Sequence, residues 1–149
     1  MKKTALLGLC FLCLFNVAAT LDAFNWVEPD QFKQWLEAKK PMILVDIQDK
    51  PSFAAHHFLG SIETNAFPVE SEAEQKRLDP AVVAFKQGDG QDVVVISQRG
   101  DDDAKRACDY LKTQGVPENK LFILTGGVEK WPYRNMFEQR KSGSGGKGC

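Results

Sequence analysis

The residues of this chain that could do chemistry gather in a few short stretches. The first is Val93-Val94-Val95-Ile96-Ser97-Gln98-Arg99-Gly100-Asp101-Asp102-Asp103-Ala104. A short β-branched run, closed by polar residues and a glycine, leads into apolar residues at helical spacing (Ala104, Ala107, Cys108, Leu111). That pattern predicts a buried strand, a tight loop and a helix. Such a loop aims backbone N–H groups and the positive end of a helix at whatever stands in front of the strand. Its apex residue is Ser97. A serine hydroxyl stays protonated near neutral pH and becomes a nucleophile only beside a base.

Two bases are on offer, His56 and His57. Paired histidines also suggest a metal. Adjacent residues point their side chains in different directions on any regular element, and no further histidine or suitably spaced cysteine completes a ligand set. The sequence therefore predicts no metal site and a structural histidine bonded to its local turn. Of the cysteines, Cys108 falls on the apolar stripe of the helix after the loop and reads as a core thiol. Cys149 ends the chain.

The elements that must position these groups follow from apolar spacing. Glu28-Pro29-Asp30 starts a helix with proline in its first turn; Phe32, Trp35 and Leu36 form its inner face, and Pro41 stops it. Met42 to Val45 is a short continuous apolar run, hence a strand covered on both faces, and it delivers Asp46 to the sheet edge where α/β proteins place their sites. Pro51 to Ala55 predicts a short helix. Ser71-Glu72-Ala73-Glu74 is a capping box, and Asp79-Pro80 predicts an N-cap followed by proline, giving two short helices. Leu121 to Leu124 is another buried strand. It runs into Gly126-Gly127, a backbone that must turn sharply or approach another loop closely. From Thr20 to Trp26 no periodicity is visible.

At the N-terminus, Lys2 and Lys3 precede an apolar run from Ala5 to Phe15, and Val17-Ala18-Ala19 supplies small residues for cleavage. The expectation is a secretory signal over residues 1–19, a domain over 20–140, and a Gly/Ser-rich tail over 141–149. A membrane anchor would need roughly 20 apolar residues, and Asn16 and Asp22 interrupt the run before that. Lipidation at Cys10 or Cys13 is disfavoured because Leu9 and Leu12 stand where a small residue belongs. Cleavage would place the domain in the periplasm or outside the cell, with no membrane association, two cysteines, and a formal net charge of −3 instead of −1. No basic patch points to nucleic acid.

In order and spacing, four pieces resemble the rhodanese family of sulfurtransferase domains. They are Leu44-Val45-Asp46-Ile47 with Phe53 following, Ala55-His56-His57-Phe58-Leu59-Gly60-Ser61-Ile62, the loop region Val93 to Ala107, and Leu124-Thr125-Gly126-Gly127-Val128-Glu129-Lys130-Trp131. The resemblance implies one α/β domain with a central parallel sheet flanked by helices on both faces. It implies an active-site loop at Ser97, Gln98, Arg99, Gly100, Asp101 and Asp102, supported by Asp46, His57, Gly126, Gly127 and Trp131, with no cofactor. In the family a cysteine ends the central strand and carries sulfur as a persulfide, because the thiolate is the nucleophile. The resemblance puts Ser97 there, and a hydroxyl forms no persulfide.

The loop departs from the family in charge as well. Asp101, Asp102 and Asp103 crowd the helix start, where a carboxylate satisfies the orphan N–H groups and the dipole from within the chain. The expectation is a site that repels thiosulfate, partly offset by Arg99. Gln48 stands where many relatives carry arginine, and the loop lacks the terminal arginine of phosphatases of this general design. The remaining chemical candidate is Cys149, on a nine-residue tail with a reach of roughly 15 to 18 Å. It could be a tethered sulfur carrier, a partner in a disulfide dimer, or a residue without a role. The expected partners are a small sulfur anion or a protein.

Overall fold

The computed structural model describes residues 24–138. They form five strands, all parallel, in the order β1-β5-β4-β2-β3. The strands are β1 (Asn25–Val27), β2 (Met42–Asp46), β3 (Ile62–Glu63), β4 (Asp92–Ile96) and β5 (Leu121–Leu124). The principal helices are α1 (Pro29–Glu37), α2 (Lys50–Ala55), α3 (Glu72–Gln75), α4 (Asp79–Gln87) and α5 (Asp102–Thr113). The expected signal segment, the tail and Cys149 lie outside the described residues.

The three central strands read as unbroken apolar runs because each is covered twice. Val45, Val93, Val95, Leu121 and Ile123 face a core shared with Leu78, Ala81 and Val82 before and within α4, and with Ala104, Ala107, Cys108 and Leu111 of α5. The alternate residues Leu44, Val94, Ile96 and Leu124 face the opposite core, built on Phe32 of α1 with Phe58, Val128 and Trp131. Helices thus flank both faces of the sheet. In register, Asp46 is paired with Ile96, so β2 and β4 end level with one another and Asp46 stands beside the entry to the Ser97 loop.

Two local readings are corrected. Within the stretch that lacks periodicity, Asn25–Val27 forms the edge strand β1, paired with β5. The Asn25 amide donates to the Glu118 and Leu121 carbonyls at 2.8 and 3.0 Å; a three-residue edge strand is specified by its neighbour and not by its own pattern. Asp79 is not an N-cap. The 3₁₀ turn Lys76–Leu78 runs straight into α4, with Leu78 in helical conformation at the cap position. The Asp79 carboxylate is instead taken by the Tyr110 hydroxyl at 2.6 Å.

Candidate functional site

β4 ends in a loop that two local hydrogen bonds define. Ser97 is 1% exposed, and its Oγ accepts the Gly100 N–H at 2.7 Å. Serine side chains take nearby backbone donors in this way wherever helix geometry has not yet begun. The expected capping role is corrected at Asp101 alone: the Gly100 donor is satisfied by Ser97, and Asp101, at the N-cap position of α5, makes no side-chain cap bond, whereas the Asp103 carboxyl takes a backbone N–H of the first turn. The Asp101 carboxylate accepts from the Arg99 guanidinium at 3.2 Å and shares a hydrogen bond with Asp103. Burial, reinforced by that neighbour, pushes the Asp103 carboxyl up to about 6, while the same contact holds Asp101 below its ordinary value. Asp102 faces out and pairs with Lys105 at 2.9 Å.

The glycine pair after β5 does both things its sequence suggests. Gly126 and Gly127 take φ of +72° and +57°, and the turn lies against the Ser97 loop. The Ser97 and Gln98 carbonyls accept from Val128 and Glu129 N–H at 3.0 and 2.9 Å. A Cβ on Gly127 would stand 2.4 Å from the Ser97 carbonyl oxygen, and one on Gly100 2.4 Å from that of Leu124. Backbone packs directly on backbone here, which only glycine permits.

Behind the loop, Asp46 is fully buried. Its carboxylate accepts the Gln48 N–H at 3.0 Å and the Gln48 side-chain amide at 3.1 Å. Burial nevertheless dominates and pushes Asp46 up to about 7. The Gln48 amide also donates to the His56 carbonyl at 3.1 Å, whereas Gln48 Oε1 is buried without a partner.

Gln48, Asp49, Ser52, Phe67, Gln98, Arg99 and Asp103 line a cavity of about 220 Å³ in front of the loop. Its rim is fixed from α5: Arg106 donates twice to the Pro68 carbonyl, at 3.1 and 2.9 Å, which holds Phe67 in place. Asp49, Ser52 and Phe67 had no signal as site residues in the sequence beyond the Asp49 cap of α2, whose carboxylate accepts the Ser52 N–H at 2.8 Å. Sheet pairing brings their segments to the β4 edge.

The other candidates sit apart from the cavity wall. His57 is held at both ring nitrogens, by the Phe53 carbonyl at 2.8 Å and the Glu138 carboxylate at 3.0 Å, and stacks on Phe53. It has no free nitrogen with which to activate Ser97. Trp131 is buried edge-on against Phe32 and Phe58 and donates to the Tyr133 carbonyl at 2.8 Å. Burial pushes the Cys108 thiol up to about 12, an inert core residue. Among the described residues no three histidine, cysteine or acidic side chains converge to hold a metal ion.

A rhodanese-like domain profile matches residues 28–132. Comparison with curated proteins gave no match. Among solved structures, the chain is similar to the rhodanese-like domain of the Anabaena sp. Alr3790 protein, at 19% identity over 85% of this chain and 88% of that one, with TM-score 0.57. It is also similar to an As-Sb reductase from Leishmania major, at 15% identity over 73% of this chain and 77% of that one, with TM-score 0.56. A Saccharomyces cerevisiae homolog of single-domain rhodanese and the Cdc25 phosphatase catalytic domain shares 14% identity over 72% of this chain and 79% of its own, with TM-score 0.55. At such identities the structures establish the fold, and the match of the profile over most of the described residues establishes the family. The chain belongs to the rhodanese-like domain family.

Proposed function

We propose that this chain is an exported rhodanese-like domain that does not carry sulfur on its central loop and works as a binding or accessory module of sulfur metabolism. Ser97 stands in the position of the family's sulfur-accepting cysteine. The observation that carries the reading is the state of this hydroxyl: it is buried, and it is spent on the Gly100 N–H. A persulfide needs a thiolate facing its donor, and the loop presents neither. The carboxylates of Asp101 and Asp103 at the start of α5 disfavour an anionic donor such as thiosulfate. Export rests on Lys2, Lys3 and the apolar run to Phe15.

The test is intact mass spectrometry of the exported chain after incubation with thiosulfate or polysulfide. No gain of one sulfur, about 32 Da, is expected. A gain on the wild type that vanishes in Cys149→Ser would overturn the reading and make the tail thiol the carrier. The same spectrum reads export, since removal of residues 1–19 from the secreted protein is expected and retention of the segment would sink that part.

A further inference from the structure

His57 stands where α2, the turn before β3 and the end of the described chain meet. It follows α2 closely, stacks on Phe53, and its Nδ1 meets the Phe53 carbonyl at 2.8 Å. That carbonyl is among the last of the helix, where a cation is favoured. On the other side the C-terminal segment returns. Phe137 forms an antiparallel bridge with Phe58, and the Glu138 N–H donates to the His57 carbonyl at 2.8 Å. The His57 Nε2 faces the Glu138 carboxylate at 3.0 Å. Phe137 is 4% exposed and seats its ring on Phe58 and against His56, at 5.0 and 5.3 Å between centroids.

The two ring contacts fix the proton count. A carbonyl oxygen only accepts, and so does an ionised carboxylate. Both nitrogens of His57 must therefore donate, which only the doubly protonated ring does. With a single proton, a nitrogen lone pair would face either the Phe53 oxygen or the Glu138 carboxylate. The charges around the ring agree. They are Glu138 and, from β2, Asp46, whose carboxyl is raised by burial and held back in part by His57. From α2 come the Phe53 carbonyl and ring, and the adjacent His56 packs on Phe137. Among the described residues no lysine or arginine pairs with Glu138. The His57 and Glu138 side chains are 21% and 45% exposed, so the ring proton exchanges with solvent while the domain stays folded.

We infer that the His57–Glu138 pair is a proton-operated latch, which holds Phe137 and Glu138 on the turn before β3 and releases them when His57 loses one of its two ring protons. Two bonds of the latch, to Phe53 and to Glu138, need both protons; the backbone bond from Glu138 to the His57 carbonyl does not and is left to hold the segment alone. Release uncovers Phe58 and Phe137. Residues 139–149, with Cys149 at their end, follow directly on Glu138. The latch is independent of whether the Ser97 loop carries sulfur.

The protein, labelled with ¹³C and ¹⁵N, is followed by NMR between about pH 5 and 8, where histidines change charge. At the acid end the His57 ring is expected to hold protons on both nitrogens. As one leaves, the exchange protection of the Glu138 amide, corrected for the intrinsic effect of pH on exchange, is expected to fall about fivefold, while amides of β4 keep theirs. Glu138→Gln is expected to hold the segment throughout the range, because its amide accepts from a protonated ring nitrogen or donates to an unprotonated one. Glu138→Ala is expected to lose protection throughout. His56→Gln leaves both ring bonds in place and is expected to keep the wild-type pH dependence. A singly protonated His57 ring at the acid end, Glu138 protection indifferent to the His57 proton, or a pH-dependent fall that persists unchanged in Glu138→Gln would overturn the inference.

Discussion

Ser97 and Gly100 are joined by a 2.7 Å hydrogen bond from the glycine N–H to the serine Oγ, and the bond closes the loop on itself at the end of the central strand. The hydroxyl serves as a structural acceptor between β4 and α5.

Ser97→Ala removes that acceptor while keeping the chain extended into the loop. The Gly100 N–H is then left part-buried and unpaired, and a loss of about 1 to 2 kcal/mol is expected. Urea unfolding of both proteins measures it. An unchanged midpoint would show that water replaces the hydroxyl at no cost.

Ser97→Cys supplies a thiol but leaves the carboxylates of Asp101 and Asp103 at the start of α5, where negative charge opposes both a thiolate in the loop and an anionic donor. Thiosulfate sulfurtransferase activity is expected to remain absent in this variant and to appear once Asp101→Asn and Asp103→Asn are added. Activity in the single variant would show that the acidic residues do not close the site.

Gly100 takes φ +65°, and a Cβ there would lie 2.4 Å from the Leu124 carbonyl oxygen and 2.9 Å from the Gly126 nitrogen. Both contacts are to backbone, which cannot step aside. Gly100→Ala is expected to destabilise by more than the ~1 to 2 kcal/mol of the left-handed conformation alone, read as a fall in thermal midpoint. Gly90→Ala is the control: it shares the positive φ, but a Cβ there meets nothing within 4 Å, so only the conformational part should be lost.

Asp46 titrates at about 7 when folded, against an ordinary value of 3.8, because burial disfavours its charge. The folded chain therefore holds a proton that the unfolded chain releases between about 4 and 7. The contribution of Asp46 to stability is fully present below this window and is lost as pH rises through it. Asp103, raised to about 6, acts in the same direction, whereas Asp49, Glu72, Glu74 and Asp92 are lowered and act below the window. Asp46→Asn should flatten the decline in stability across about pH 4 to 7 without abolishing it. Thermal melts across that range would sink the assignment if the slopes of the two proteins coincide.

The elements most legible in the sequence are those whose signal is local. The runs Met42–Val45, Val93–Ile96 and Leu121–Leu124 announce covered strands because both faces of each are apolar, and Phe32, Trp35 and Leu36 announce α1 by helical spacing. Asn25–Val27 escapes because its pairing partner lies nearly a hundred residues away in β5, and its three residues have room for no pattern. The site divides the same way. Ser97, Arg99 and the aspartates are found by their position between strand and helix, while Asp49, Ser52 and Phe67 reach the cavity from α2 and from the segment after β3.

The amino-acid sequence by itself determined the alternation of strand and helix, the identity of the residue at the loop apex, and hence the absence of a thiol at that place. These depend on residue type and short-range spacing. Only the tertiary structure decided what each polar group does with its bonds. It turned the Ser97 hydroxyl onto Gly100, engaged both nitrogens of His57, and left one oxygen of Gln48 without a donor. Hydrogen-bond partners are chosen by burial and by register between segments distant in the chain, and no local pattern of side chains contains that information.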